Sequence, residues 1–552
     1  MKNVLVNCIH QLHGRSLQSA YKRAMETYDS PALTQHQNLE ELLYINRDSD
    51  YVKAYLGKES TGRLKSVDTF RSRFPIVTFE DLKPWFDRIN SPDNNILTKQ
   101  KTLCWEPTSG SSQAKKWIPY NQALLTQFNS SINPWLVALY KNYQGIKKGS
   151  HYWSVSMANR DSTQSEIPVG LPDDSHYLGP LARLATRCIM SVPASVKHEP
   201  SDEAWKWKTA FYLLSDQSLA MISVWSPTFL TVICEFILEH WPRIYTKLPK
   251  QRQRALKNFC DLKSKNFESL WPNLSLISCW TDGPALPYAQ NLRNFFPTVP
   301  IQGKGLLTTE GVISVPIQAH PGHSELSQGA VAAIGSHFYE FIPEEENTES
   351  KSQDIKTVLA HELEIGRRYT PVITTAGGLY RYRISDTLEC SGYYHQTPLL
   401  KFIGKNETVS DIAGEKLHHS FIQHAVESTL NKTGLQISFL LVTPPKSIPG
   451  SYTVFLESSS NSILVTAFLK TLEAKFCENF HYQQCRTIGQ LNALNHQVIN
   501  RGWQIYQDTQ QKAGIKLGDI KPSFFNDRFD WKSIFSNNPV NIYNGHNLQG
   551  TH

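Results

Sequence analysis

Five short segments carry side chains capable of chemistry, although a lysine in any one of them is by itself equally a solvated surface residue. The first is Thr108-Ser109-Gly110-Ser111-Ser112-Gln113-Ala114-Lys115-Lys116. Its hydroxyls surround one glycine, and two lysines follow. Such a turn can wrap phosphate oxygens with O–H and N–H donors, and a lysine adds a point charge. It lacks the GxxxxGK[ST] spacing of a P-loop, so a plain surface loop stays open. The second segment is Gly303-Lys304-Gly305-Leu306-Leu307-Thr308-Thr309-Glu310-Gly311, which follows the apolar Val299-Pro300-Ile301. A strand, a glycine turn and a Thr-Thr-Glu end suit a ligand edge of an α/β sheet. Glu310 there suits Mg²⁺, a hard ion usually held by one or two carboxylates plus phosphates. It equally suits a helix start or a surface position.

The third segment, Gly377-Gly378-Leu379-Tyr380-Arg381-Tyr382-Arg383-Ile384-Ser385-Asp386, alternates as a strand does. Asp386 at the strand's end is placed to accept two hydrogen bonds from a ribose diol, or to open a turn. The fourth joins Phe402-Ile403-Gly404-Lys405 to Asp411 and Gly414-Glu415-Lys416-Leu417. Lys416 is expected at the start of an amphipathic helix, where the dipole disfavours a cation, so a task other than helix stability is indicated. The fifth, Gly518-Asp519-Ile520-Lys521-Pro522, reads as a turn carrying a lysine.

The elements that position these segments follow from periodicity. Residues 15–57 read as largely helical, with Leu39, Leu42, Leu43, Tyr51, Val52 and Tyr55 at helical spacing. Residues 224–247 read as a helix opened by Ser226-Pro227. Leu274–Cys279 reads as a buried strand. Strands alternating with helices predict an α/β architecture. Pro343–Gln353 is acidic and polar and reads as an exposed loop. The character changes after about residue 405. Leu417, Phe421, Ala425 and Leu430 form a helical stripe closed by Gly434. Strand-like runs at Ile437–Thr443 and Tyr452–Glu457 follow, then a helix over Ile463–Phe480. A small α+β domain, 416–552, after a large one, 1–415, is the expected organisation, with the hinge at 405–416.

Composition narrows the function classes. The chain has 552 residues, 40% hydrophobic and 19% charged, which is ordinary globular usage. The length suggests two to four domain-sized units. The formal net charge is +7 and no Lys/Arg run reads as a nucleic-acid arm. The nine cysteines are scattered with no CxxC pair, which fits a reducing compartment rather than a disulfide framework or zinc. His418-His419 and His361-Glu362 lack HExxH spacing, and no GxSxG elbow occurs. No signal-peptide core and no membrane-length apolar run is present, so a cytoplasmic protein without membrane or nucleic-acid partners is expected.

Taken in order, the five segments resemble the Gretchen Hagen family, the auxin-responsive acyl-acid amido synthetases of plants and their bacterial relatives, within the acyl-adenylate-forming superfamily. The resemblance runs through TSGSSQAKKWIPY (108–120), WSPTFL (225–230), CWTDG (279–283), PIQGKGLLTTEG (300–311), FYEFIP (338–343), GGLYRYRISD (377–386), FIGK (402–405), GEK (414–416), CRTIGQL (485–491) and GDIKP (518–522). TSGSS and GLLTTEG are closer to the bacterial wording.

The resemblance implies a large, multi-lobed N-terminal domain and a small mobile C-terminal one. It implies ATP and Mg²⁺, a carboxylic acid and an amine such as an amino acid as substrates, and a monomer. Ser109, Gly110, Ser111, Ser112 and Lys116 would form the phosphate loop. Gly283, Thr308 and Thr309 would lie at the nucleotide, with Gly283 and Thr309 on the adenine side. Glu310 would hold the metal and Asp386 the ribose. Lys405 stands where the superfamily often has an arginine at the hinge. Lys416 lies thirty residues after Asp386, the spacing of a nucleotide-contacting lysine in plant members, and Lys521 matches the lysine that swings in for adenylation. Two departures stand out: Gln113 replaces a usual glycine, and Ser385 the usual glycine before the aspartate. The motifs leave two alternatives open, a coenzyme A ligase-like adenylating enzyme and a catalytically retired nucleotide-binding module.

Overall fold

The computed structural model describes residues 2–57, 66–89, 95–108, 116–154, 167–170, 188–260, 266–318, 328–344, 355–405, 409–515, 517–528 and 530–536. The chain divides into two compact units. The first comprises residues 1–282 and 292–402, and the second 283–291 and 403–552.

The first unit opens on helices α1 (Lys2–Ser16), α2 (Gln18–Asp29), α3 (Pro31–Ile45) and α4 (Asp50–Leu56); the last three fill the stretch 15–57 that reads as helical, whereas α1 lies almost wholly before it. α3 starts with Pro31 at a position whose N–H needs no partner, and Ser49 caps α4 by accepting from the Val52 N–H. α5 (Val67–Arg73) and α6 (Phe79–Phe86) follow. Tyr51 stacks on Tyr380 at 5.1 Å between ring centroids, and Phe70 and Phe74 join them in the core.

Three sheets build the rest of this unit. β1 (Thr102–Pro107) and β2 (Trp117–Asn121) form an antiparallel hairpin that leads into α7 (Gln122–Asn142). β3 (Ser150–Trp153), β4 (Leu219–Ser223), β5 (Leu276–Cys279) and β6 (Ile301–Gly303) form a parallel sheet in that order. Helical connections flank its strands, including Pro227–Lys247 with Ser226 at its N-cap. That helix buries Phe229, Leu230, Ile233, Cys234, Ile237, Trp241 and Ile244, the i, i+3, i+4 face of the sequence pattern.

The third sheet is antiparallel. It runs Val358–Leu359 (β10), Phe338–Pro343 (β9), Arg368–Thr374 (β11), Asp386–Tyr394 (β13), Thr397–Lys405 (β14), Ala330–Ala332 (β8), Ser314–Val315 (β7), with Tyr382–Arg383 (β12) pairing β11. Of the loop expected over Pro343–Gln353, all but the start lies outside the described residues.

In the second unit, β15 (Val409–Ser410) and β16 (Leu417–His418) make a small hairpin. β17 (Phe439–Thr443), β18 (Thr453–Glu457) and β19 (Asn495–Val498) form a mixed sheet. Alternate residues of β17 enter separate cores. Leu440 and Val442 pack with the helices His419–Thr433 and Ser462–Phe476, whereas Phe439 and Leu441 pack with Trp531 and Phe535. Gly434 closes the helix His419–Thr433 in the left-handed conformation, φ 68°, as its position in the sequence predicts. Leu417 does not belong to that helix but to β16, because the backbone turns out of the strand only at His419. No helix among the described residues is long and apolar enough to cross a membrane.

Candidate functional site

The β1–β2 hairpin carries the first segment at its open end. Its last backbone pair joins the Thr108 N–H to the Lys116 carbonyl at 2.8 Å. Ser109, Gly110, Ser111, Ser112 and Gln113 lie beyond that pair, outside the described residues. Lys116 is half-buried, with its ammonium 5.9 Å from the Phe79 ring centroid.

Two successive residues at the end of β2 tie this hairpin to the other segments. The Tyr120 hydroxyl donates to the Thr309 carbonyl at 2.6 Å. The Asn121 amide donates to the Ala376 carbonyl at 2.8 Å, while its Oδ1 accepts from Leu124 N–H and caps α7. One strand end therefore fixes both the Thr-Thr-Glu turn and the Gly377-Gly378 loop relative to Lys116.

The Thr-Thr-Glu segment is a tight turn rather than a helix start. Leu307 and Val312 bridge across it, and the Thr308 N–H donates to the Gly311 carbonyl at 3.0 Å. The Thr308 hydroxyl also accepts from the Gly311 N–H. Thr309 and Glu310 stand at the tip, both half-buried.

His337 braces the turn from below. Its Nε2 accepts the Val312 N–H at 3.2 Å, so the ring proton sits on Nδ1, 2.9 Å from Gln127 Oε1. The same Gln127 oxygen accepts the Ala376 N–H at 2.8 Å. Burial pushes His337 down to about 3, which keeps the imidazole neutral and the acceptor available. His337 and Gln127 escape a reading of the sequence because they lie 25 residues from Val312 and 249 from Ala376.

Asp386 opens β13, buried, instead of ending the strand expected over 377–386. The alternation misleads because Gly377–Leu379 forms a turn, closed by the Thr375 N–H on the Leu379 carbonyl, and only Tyr382–Arg383 pairs before Asp386. Arg381 is structural. Its guanidinium donates from Nε and Nη2 to the two oxygens of the fully buried Glu340, at 2.9 and 3.0 Å, and from Nη1 to the Phe74 carbonyl. Ser385 does not take a positive φ, so the glycine it replaces is not required by the backbone.

Gly283, Lys405, Lys416 and Lys521 belong to the second unit. Gly283 is buried and opens a helical turn with φ 54°. Lys405 ends β14, and its charge, after burial, holds His419 down at about 4. His419 opens a helix, with its ring against Phe525 and its Nε2 3.3 Å from the Ser523 hydroxyl. The end of β14 and the segment just after Lys521 thus meet at one imidazole.

Lys416 is not at a helix start. It precedes β16 in the left-handed region, φ 42°, with an exposed side chain. The fully buried Glu415 carboxylate shapes this hairpin by accepting the Ile412 and Ala413 N–H groups, at 3.0 and 2.7 Å, and the Tyr452 hydroxyl. Lys521 is exposed and follows a short helical turn, Leu517–Asp519, as the glycine-aspartate pattern predicts. Gly179–Ser191, a region suggested for the acid pocket, lies partly outside the described residues.

A parallel and an antiparallel sheet in the first unit, followed by a smaller mixed-sheet unit, give a fold that recurs among solved structures. A solved structure titled AtGH3.15 acyl acid amido synthetase in complex with 2,4-DB superimposes with a TM-score of 0.80, covering 95% of this chain and 96% of that one at 18% identity. The GH3 family N-terminal domain matches residues 20–253 and 243–301, the central domain 330–405 and the C-terminal domain 420–528. The chain belongs to the GH3 family. Among its relatives, indole-3-acetic acid-amido synthetase GH3.2 of Arabidopsis thaliana is 22% identical, over 85% of this chain and 92% of that protein. Jasmonoyl--L-amino acid synthetase GH3.5 of Oryza sativa subsp. japonica is 23% identical over 85% of this chain and 88% of its own length.

Proposed function

We propose that this chain is an ATP-dependent ligase that joins a carboxylic acid to the amine of an amino acid through an acyl-adenylate. The observation that carries this reading is the family match along all three domains together with the β2 strut. Tyr120 and Asn121 hold the hairpin of Lys116, the turn of Glu310 and the loop before Asp386 in one arrangement.

A carboxylate is a poor acyl donor because its leaving group is poor. Attack of the acid's carboxylate on the α-phosphate of ATP forms the acyl–AMP bond and releases pyrophosphate. An amine then attacks the acyl carbon, and AMP leaves with the bonding pair as the amide forms. In this reading Ser109, Gly110, Ser111, Ser112 and Lys116 cradle the phosphates, Thr308 and Thr309 position the nucleotide with Gly283, and Asp386 accepts the ribose hydroxyls. Lys521 neutralises charge in the first step and Lys416 contacts the nucleotide. The small domain, with Lys405 and residues 405–416 as its hinge, turns between the two steps.

Magnesium suits the Glu310 turn. No group of three or more His, Cys, Asp or Glu that could hold a metal occurs among the described residues. A single carboxylate beside two hydroxyls matches an ion whose remaining ligands are phosphate oxygens and water. When bound it would offset the charge that builds on the phosphates. The TSGSS and GLLTTEG wording supports a place in the bacterial branch, and the adenylation chemistry supports a place among acyl-adenylate-forming enzymes.

ATP–pyrophosphate exchange across a panel of aryl, indolyl, jasmonate-like and fatty acids, without amine, tests the first step. Mass analysis of products formed with amino acids or coenzyme A tests the second. Exchange with one acid class and an amide product are expected. Clear ATP binding with no exchange for any acid would favour a nucleotide-binding module, and a thioester as sole product would refute the amide.

A further inference from the structure

The C-terminal edge of the parallel sheet carries a buried cation. Lys304 follows β6 directly and is 4% exposed. Its ammonium donates to the Ser223 hydroxyl at 2.7 Å and lies 5.1 and 5.4 Å from the ring centroids of Trp225 and Trp135. Among the described residues it has no carboxylate partner. Ser223 is the one acceptor it has among the described residues, so two of its three protons find none there. A buried ammonium with one neutral hydrogen-bond partner is costly, because little of its lost hydration is repaid. Burial holds the Lys304 ammonium down at about 8, low for a lysine.

Its neighbours add more donors. Strand register places Trp153, Ser223, Ser278 and Gln302 directly opposite one another across β3 to β6. Neighbouring strands lie about 4.8 Å apart, and residues in register share a face. Lys304, two residues beyond Gln302, continues along that face. The Trp135 indole N–H donates to Gln302 Oε1 at 3.4 Å, which leaves the amide's N–H₂ pointing elsewhere. That Nε2, the Trp153 Nε1 and the Ser278 hydroxyl are all buried without a hydrogen-bond partner among the described residues. The thiol that adjoins them, Cys279, is pushed up to about 12 and stays uncharged. The row is rich in donors and poor in acceptors. It has a cation at one end and indole rings as walls. In open α/β sheets, ligands gather at this carboxyl edge of the strands.

Resting on the amido synthetase reading, we propose that Lys304, with the Trp153–Ser223–Ser278–Gln302 row, grips a second carboxylate on the acid substrate, away from the carboxyl that is adenylated. The preferred acids are then dicarboxylic, with a spacer flat or apolar enough to pass the indoles of Trp135 and Trp225. The arrangement favours a non-reacting group. A carboxylate held by several strong donors is a weaker nucleophile, which would slow attack on phosphorus.

The test is pyrophosphate exchange with the full chain and a series of aliphatic and aromatic dicarboxylic acids, each against its own monomethyl ester. At least one diacid should exceed its monoester by about 100-fold in kcat/KM, the scale of a buried charge pair broken at one side. Lys304→Met should remove that advantage while exchange with the monoester stays within about threefold of wild type. Gln302→Leu should reduce it in part. Monoesters equal to or better than diacids in the wild-type protein would overturn the proposal while leaving the ligase reading intact. Equal loss for diacid and monoester in Lys304→Met would overturn it too, and would put the lysine on the reacting carboxylate. No exchange with any acid would sink the ligase reading itself. The wild-type selectivity decides the matter even if a variant fails to fold.

Discussion

Gly311 stands so close to His337 that a Cβ on the glycine would lie 2.9 Å from the imidazole Nε2. The ring occupies the space a side chain would need because it is there to receive the next N–H, that of Val312. The Glu310 turn is therefore held by contact as well as by its hydrogen bonds, and Ile373 Cδ1, at 3.2 Å from the same point, leaves no way aside.

Gly311→Ala should move the turn without dissolving the fold. The strain of one extra methyl in a filled site is about 1–3 kcal/mol. We expect pyrophosphate exchange to fall at least about tenfold, since small misplacements of reacting groups are expensive in rate. Urea unfolding should show a modestly lower midpoint. Wild-type exchange in this variant would mean that the position of Glu310 is not critical.

Acid should destabilise the protein well before its carboxylates titrate. His337 and His151 are both pushed down by burial to about 3, against about 6.5 when unfolded. Below pH 6.5 the unfolded chain takes up protons that the folded chain refuses, so stability is whole above that pH and declines toward pH 3. Each histidine contributes about 1.4 kcal/mol per pH unit in that window. Urea midpoints between pH 7 and pH 5 check this, and His337→Gln should flatten the slope by one histidine's share.

Arg381→Met should unfold more than it disarms. It removes two hydrogen bonds from the fully buried Glu340, which among the described residues would keep Arg71 and the Thr357 hydroxyl as side-chain partners. With Arg71 still paired to the carboxylate, losing the charged hydrogen bonds costs about 1.5–3 kcal/mol. Adding Glu340→Gln should recover part of the loss, and a double-mutant cycle in urea measures it. Simple additivity would show that the two residues do not act as a pair.

Lys416 separates backbone from side chain. At φ 42° a lysine is strained and a glycine is not, a difference of about 1 kcal/mol. Lys416→Gly should therefore melt no lower than Lys416→Ala. If the ammonium contacts the nucleotide, both variants should lose exchange activity to a similar extent. A glycine variant with full activity would assign Lys416 to the loop alone.

Lys521→Ala should slow adenylation far more than amide formation from supplied acyl-AMP. Removing one charge that acts on the developing phosphate transition state is worth about 3 kcal/mol, or roughly 100-fold. Both half-reactions falling together would contradict a lysine used on one face of the cycle only.

Local rules served well where the cause is local. Ser226-Pro227 announced a helix because proline suits a first turn, and Gly434 marked an end because only glycine enters the left-handed region freely. They failed where the cause is distant. The alternation of 377–386 suggested one strand, yet its side chains answer to Leu97, Glu340 and Phe74 rather than to a ladder. The apolar stripe that begins at Leu417 points to a helix start at Lys416, but the pairing of Ser410 with Leu417 claims that residue for a hairpin. Lys304 lay in view within a recognised motif. Nothing in the sequence says that Ser223, 81 residues earlier, is its partner.

Residues 283–291 sit in the chain of one unit and in the body of the other. Asn291 donates to the carbonyl of Ile437, 146 residues later, and Tyr288 packs against Trp503 at 5.3 Å. During synthesis this short helix emerges long before the strands that bury it, so the second unit can complete itself only near the end of translation. A chain stopped in the central region would leave Tyr288 without the Trp503 ring that covers it. The late unit is thereby a check on the whole chain, since its fold depends on a fragment made much earlier.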